Sequence, residues 1–421
     1  MSVSPRATPA NRTRTIFFVW LGWALVMLAF QAFALARFDL VRPDRTLDWT
    51  ASWTNADAME RHFYLKTPIL QGHSAWDSEF YVSIALHGYE DPAMRAASPA
   101  STPDVEVAGP KKDHPKWVSL NHAFFPGYPF AMGLIARPLA AVGVNPIGAA
   151  TFAGVLVSLL ASLFAMLAIA DLARAKDETG ADLRAAFYLV VWPAAVFLAQ
   201  VYSEALFLAF SFGALAMLRR ERWGWAAALA AGAVFTRATG VLLIIPFGWA
   251  WLFGAGGRSP NRSSTRALAA LAPALAYLVW RWLLGADFDF VETKYFGRAP
   301  FAIGQSLEAW GDFFDSFMNG SALTRSYEWV ELAGAVVWFI TSLAYWRRDK
   351  ALSLYGLATL GVVLTSGAAL GMHRYALATP TLFLAPAAWG VSPVFDRVWT
   401  LACCLGLAAL TLSFSFGFWA G

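Results

Sequence analysis

The feature that most constrains this chain is a series of long apolar runs broken by short polar punctuation. They fall at 15–36, 146–170, 185–201, 206–218, 223–235, 240–253, 267–284, 332–345, 351–370, 376–389 and 398–419. A spanning helix needs about 20 apolar residues, fewer where the bilayer is thin. Eleven such runs therefore predict an all-α polytopic membrane protein, with 125–142 as a twelfth candidate. Of the 421 residues, 58% are hydrophobic and 14% charged, whereas a soluble domain averages about 45–50% apolar and about 25% charged. The 20 tryptophans and 33 phenylalanines suit a protein with much membrane interface, where amphipathic rings settle. A soluble protein with a large core is excluded.

Charge fixes the expected orientation. The formal net charge is only +4, and the basic residues are scattered over short loops, so they read as topology signals and not as a nucleic-acid surface. Arg219, Arg220 and Arg222 form one cluster, Arg258, Arg262 and Arg266 a second, and Arg347, Arg348 and Lys350 a third. Counting the intervening runs puts all three on one side, which the positive-inside rule assigns to the cytoplasm, with Arg6, Arg12 and Arg14 before the first run. That run is too long for a signal peptide and has no small-residue cleavage site, so it is expected to be a retained first helix. The long segment 38–121 and the polar segment 285–331 are then two extracytoplasmic loops in a single membrane domain, 1–421. If 125–142 crossed the bilayer the parity would break. With Pro126, Pro129, Arg137 and Pro138 it is expected to lie in the interface or re-enter, as covered non-helical backbone is allowed to do.

Several features point to no special chemistry. Cys403 and Cys404 are adjacent in an apolar run, and no Cys/His spacing suggests zinc. Asp287 and Asp289 are too common a pair to count as a metal site, so no metal is expected. The stretch 96–116 is rich in Pro, Ala, Ser and Lys and reads as a mobile loop. Sequon matches at Asn11, Asn261 and Asn319 read as chance, the first two being cytoplasmic.

On the outer side four groups of polar residues interrupt the apolar pattern. Asp77 follows Trp76, with Phe80 and Tyr81 at helical distances. A carboxylate walled by aromatic rings loses water and becomes a better base. Asp77 or Ser78 would equally serve as a solvated N-cap of a short helix ending at Gly88. Glu204, in Tyr202-Ser203-Glu204, is an ionisable group between two apolar runs, and such residues line a cavity or meet a partner because burial at the bilayer centre costs at least about 2.5–3.5 kcal/mol. A polar surface turn is the plain alternative. Arg237 breaks another apolar stretch, in Thr236-Arg237-Ala238-Thr239-Gly240, and a guanidinium binds phosphate bidentately. It would also serve as a snorkelling anchor or as a partner for Glu204. His373 and Arg374, in Gly371-Met372-His373-Arg374-Tyr375, offer further donors to an anion, although a lone histidine is more often structural. The segment from Asp287 to Arg298 mixes charge with aromatics and would suit either a substrate cover or plain solvated surface.

These residues carry a family resemblance. Trp76-Asp77, Ile84-Ala85, His87-Gly88-Tyr89-Glu90 and Ala123-Phe124-Phe125-Pro126-Gly127-Tyr128-Pro129 together resemble the PIG-V type of mannosyltransferase and its prokaryotic relatives, membrane glycosyltransferases of the GT-C fold. Tyr202 to Phe207, Thr236 to Gly240, and Arg374-Tyr375 followed by Pro380 are similar to the family's later motifs, in the same order. The resemblance implies a GT-C-like bundle of about 11–12 transmembrane helices and an inverting transfer of a sugar, typically mannose, from a polyprenyl phosphate. The acceptor would be a lipid, glycan or protein, and no separate cofactor is implied. It makes Asp77 the general base and Glu204 a catalytic or orienting partner. Trp76, Glu79, Tyr81, Tyr128, Arg237, His373 and Arg374 become the donor-phosphate or substrate-binding residues. Gly127 departs from the pattern, standing where relatives often carry a bulkier residue, and 38–72 matches nothing recognisable. A transporter or flippase-like protein is the rival class; it would show midplane charges or symmetric repeats, and neither is evident.

Overall fold

The computed structural model describes residues 9–38, 68–97, 117–174, 180–254 and 259–421. The expectation of a mobile loop at 96–116 falls almost wholly outside them, as do much of the 38–121 loop, Arg6 and Arg258. Among the described residues the chain is helical apart from one short ribbon of β1 (Arg95–Ala97) against β2 (Trp117–Ser119), antiparallel with Arg95 opposite Ser119.

The helices are α1 (Pro9–Arg37), α2 (Ser78–His87), α3 (Gly127–Ala141), α4 (Pro146–Arg174), α5 (Ala181–Val191), α6 (Glu204–Arg219), α7 (Trp223–Thr236), α8 (Ile244–Phe253), α9 (Ser264–Tyr295), α10 (Ile303–Asn319), α11 (Ala322–Ala344), α12 (Lys350–Leu364), α13 (Thr381–Trp389) and α14 (Pro393–Ser415). Four segments are long and apolar enough to cross a bilayer unaided: Asn11–Arg37, Pro146–Arg174, Thr324–Arg347 and Pro393–Ser415. The chain is thus an integral, multi-pass membrane protein. Of the remaining apolar runs, 267–284 lies in the 32-residue bent helix α9, and the others appear as helices of 9 to 16 residues, several extended by 3₁₀ turns.

Two expectations need correction. The run 185–201 is not one straight helix: α5 stops at Val191 and the chain turns by 81° into the 3₁₀ segment Pro193–Ala199. Pro193 cannot donate to the preceding turn and disfavours helix at Trp192. The segment 285–331, expected as an extracytoplasmic loop, is largely helical and not irregular. After an 89° bend, Asp287–Tyr295 completes α9. Then α10 presents Ile303, Leu307, Phe314 and Met318 on its exposed apolar side, and α11 begins at Ala322 behind a Ser321 cap. Polar composition hid these helices, because amphipathic surface helices carry as many polar as apolar residues.

The main core packs α4 to α7, α11 and α13 around Phe197, Tyr202, Phe212 and Trp338, all fully buried. A second core joins α2 to α3 and α4 through Phe80, Tyr81, Tyr128 and Met132. At 15 residues, α3 is about 22 Å long, short of an apolar slab of about 30 Å. Its first residue has no room for a side chain: a Cβ on Gly127 would lie 2.8 Å from the Phe235 carbonyl oxygen.

At one end of the bundle the basic clusters meet acids. Arg219 pairs with Asp349 at 2.7 Å, Arg220 with Asp171 at 2.5 Å, and Arg266 with Glu221. The described members of the three clusters therefore share an end, as the charge pattern predicts.

Candidate active site

A cavity of about 710 Å³ opens among the first-loop helix α2, the break after α7, the end of α9 and the turn that precedes α13. Its polar lining includes Asp77, Arg237, Asp289, Glu292, Arg298 and Arg374, set among aromatic rings.

Asp77 occupies the N-cap position of α2, yet its side chain makes no capping bond. Instead its Oδ2 accepts from Arg374 Nη1 at 3.3 Å. The backbone aims it there. Trp76 has φ +53°, a conformation that is rare for a bulky residue and costs roughly 1–3 kcal/mol. Trp76 is held by its ring, which meets Trp419 edge-on at 4.8 Å. The next amide, Asp77 N–H, donates to the Tyr202 hydroxyl at 3.2 Å. Gly88 ends α2 with φ +81°, as the sequence predicts.

Glu204 opens α6 and is almost wholly buried. Its Oε1 accepts from Arg237 Nη1 at 2.5 Å and lies 3.5 Å from Arg374 Nε. Its Oε2 has no hydrogen-bond partner among the described residues. Arg237 sits in extended backbone between α7 and the 3₁₀ turn Ala238–Leu243. It also donates to Ser203 Oγ at 3.1 Å, and that oxygen is 2.9 Å from the Tyr81 hydroxyl. Gly240 permits the break: a Cβ there would come within 2.7 Å of the Val234 amide nitrogen. Asp77, Arg374, Glu204 and Arg237 thus form one continuous chain of alternating charge. Burial works against the charge on Arg374, but Glu204 and Asp77 outweigh it and hold its pKa above the ordinary arginine value.

Arg374 is placed by a group the sequence did not advertise. Glu331 of α11 is completely buried and accepts from the amides of Gly371 and Met372, both at 2.6 Å, and from the Tyr327 hydroxyl. His373 Nδ1 lies 3.2 Å from the same carboxylate and its Nε2 lies 2.8 Å from the Ala420 carbonyl oxygen. His373 therefore belongs to this buried support and does not line the cavity.

Two other sequence candidates also lie behind the wall. Tyr128 is fully buried, its hydroxyl bonded to the Gly154 carbonyl at 2.9 Å and next to Ser158 Oγ at 2.9 Å. Glu79 is buried in the first turn of α2 and is not part of the lining. Trp76, Asp77, Tyr81, Arg237 and Arg374 do line it.

Glu292, Arg298 and Tyr375 also line the cavity; none of the three is among the expected site residues, although Tyr375 stands in the Arg374-Tyr375 motif. Glu292 and Arg298 belong to the segment noted only as mixing charge and aromatics. The available signal was helical spacing, since Asp289 and Glu292 are three apart and share a face. Their segment follows the bend in α9 and lies outside the spanning part. Burial pushes the Glu292 carboxyl up to about 7, opposed by Arg298 and assisted by Asp77. Burial likewise lowers the pKa of Arg298. Asp289 is engaged elsewhere, by Arg281. Among the described residues no cluster of three His, Cys, Asp or Glu side chains could hold a metal ion.

Residues 112–247 match a family described as Mannosyltransferase (PIG-V). Over 210 residues the chain is 33% identical to GPI alpha-1,6-mannosyltransferase 2 of Mus musculus, covering 49% of this chain and 36% of that protein. The corresponding Cricetulus griseus protein is 34% identical over 213 residues, with the same coverage. The aligned stretch spans about a third of the length of these curated relatives. Among solved structures, the apo oligosaccharyltransferase of Archaeoglobus fulgidus aligns with 96% of this chain and 56% of its own, at 12% identity and a TM-score of 0.46.

Proposed function

We propose, from the match of residues 112–247 to the family described as Mannosyltransferase (PIG-V), that the chain is a GT-C-like glycosyltransferase using a polyprenyl-phosphate sugar, with mannose as the sugar. The observation that carries the proposal is that Asp77, Arg374 and Arg237 line one wall of a cavity rich in aromatic rings and are tied together by Glu204 behind that wall.

In the proposed step the acceptor hydroxyl oxygen attacks the anomeric carbon from the face opposite the phosphate, inverting it. The bond from that carbon to the phosphate oxygen breaks, and its electron pair leaves with the lipid phosphate. The hydroxyl proton passes to the Asp77 carboxylate. Arg374 Nη1 at 3.3 Å fixes that carboxylate in place. Arg374 and Arg237 provide a preorganised positive field where negative charge grows on the leaving phosphate, and such fields are strongest in water-excluded sites. Glu204 lies behind the lining and orders both arginines. The basic clusters at the far end of the bundle support an extracytoplasmic location for the cavity.

Membranes containing the protein, radiolabelled polyprenyl-phosphate-mannose and the host's lipid and protein fractions provide the test. Asp77→Asn removes the base with little change in volume and is expected to lower transfer about 10²–10⁴-fold while the protein still inserts. Normal turnover in that variant would overturn the assignment.

A further inference from the structure

The cavity holds three arginines, and they are not equivalent. Arg237, Arg298 and Arg374 surround a single ring, that of Tyr375, with guanidinium carbons 5.4, 5.1 and 5.2 Å from its centroid. Three cations around one ring repel one another. Two are neutralised: Arg237 by Glu204 at 2.5 Å, and Arg374 by Asp77 at 3.3 Å and Glu204 at 3.5 Å. Arg298 forms no ion pair among the described residues, and its guanidinium lies against the Tyr375 ring. A ring face contributes about 0.5–2 kcal/mol to a cation, whereas withdrawing an ion from water costs several kcal/mol. Arg298 lies within the electrostatic reach of Glu292, Asp77 and both other arginines, so it faces the same space as the paired wall.

A guanidinium that is stacked on a ring, lines a cavity and is in direct contact with no carboxylate among the described residues keeps its hydrogen-bonding fork open for an anion. The stacking also orients the planar fork, so fewer degrees of freedom are lost when it closes on a tetrahedral oxyanion. We infer that Arg298 is the primary grip on the phosphate of the lipid-linked substrate, and that Arg237 and Arg374 act on that phosphate mainly as a field set by Glu204 and Asp77. This rests on the proposed lipid-phosphate donor. It adds a direct phosphate contact from the end of α9, a region outside the family-matched residues.

Binding without turnover tests it on the full chain in nanodiscs, with a short polyprenyl phosphate lacking sugar and the matching uncharged prenol as probes. Wild-type protein is expected to prefer the phosphate. Arg298→Gln is expected to weaken phosphate binding roughly 10–100-fold, the scale of one or two charge-assisted hydrogen bonds, and to leave prenol binding unchanged. Lys294→Gln, on the same segment but exposed and not part of the lining, is expected to bind both as wild type. If wild-type protein shows no preference for the phosphate, the lipid-phosphate donor itself is wrong. If wild type discriminates and Arg298→Gln retains the preference, or loses prenol equally, the Arg298 assignment alone is overturned. Should the glutamine variant fail to fold, Arg298→Lys decides. A point charge without the fork predicts an intermediate loss, and undiminished phosphate binding would refute the inference.

Discussion

The two walls of the cavity carry similar charges and treat them differently. On the bundle side, Asp77, Glu204, Arg237 and Arg374 are linked acid to base within 3.5 Å. On the α9 side, Glu292 and Arg298 take part in no ion pair among the described residues, and burial moves both toward neutrality. The first wall is a preorganised electrostatic device whose charges are already balanced. The second holds Glu292 and Arg298 within electrostatic reach of each other but without a direct ion pair, and a buried charge without a bonded partner is what a charged ligand can satisfy.

The contrast breaks most visibly if arginines from the two walls are removed in parallel. Arg374→Met strands the Asp77 carboxylate and leaves Glu204 with Arg237 alone, and is expected to lower stability by about 3–5 kcal/mol, whereas Arg298→Met is expected to lower it by less than about 1 kcal/mol or to raise it. Thermal melting of the purified variants gives the comparison, and equal losses would erase the distinction between the walls. A pH series then sharpens the α9 side. An acid whose folded pKa is raised to about 7 from 4.5 binds more protons folded than unfolded. Its contribution to stability is therefore fully present below pH 4.5, lost as pH rises toward 7, and constant above. Glu292→Gln is thus expected to be more stable than the parent at pH 8, by on the order of 1–3 kcal/mol, with the gap closing below pH 4.5. A pH-independent gap would show that Glu292 is not held in this state. The smallest effect belongs to a residue behind the wall. Tyr128→Phe removes the bonds to Gly154 and Ser158 and is expected to cost about 1 kcal/mol with donor KM unchanged. A raised KM would return Tyr128 to the binding site.

The paired wall was largely legible in the sequence, and the reason is energetic. Asp77, Glu204, Arg237 and Arg374 stand beside or between apolar runs, where an ionisable group needs a partner or a cavity. Glu292 and Arg298 stand in a polar stretch, where charge is the norm and carries no such warning. Glu331 begins an apolar run and looks like its solvated edge. Only the fold shows it buried beneath Gly371 and Met372. His373, Tyr128 and Glu79 erred the other way. They neighbour cavity residues in sequence, but turn and helix geometry points adjacent side chains in different directions. The apolar runs located the helices well, and failed where proline bent a run or amphipathic helices replaced an expected loop.

The pairing of Asp77 with Arg374 has a consequence for how the protein is made. Glu204 waits only 33 residues for Arg237, but Asp77 waits 297 for Arg374. At about 5–20 residues per second of synthesis, that is roughly 15–60 s during which the carboxylate has no lasting partner. Lipid gives it none, so until the Gly371 turn emerges Asp77 must rest in water or in the headgroup layer. The ring of Trp76 is in the same position, since it docks against Trp419, and it too must wait for the last helix. These two contacts of the cavity wall can therefore close only after Arg374 and Trp419, respectively, have been made.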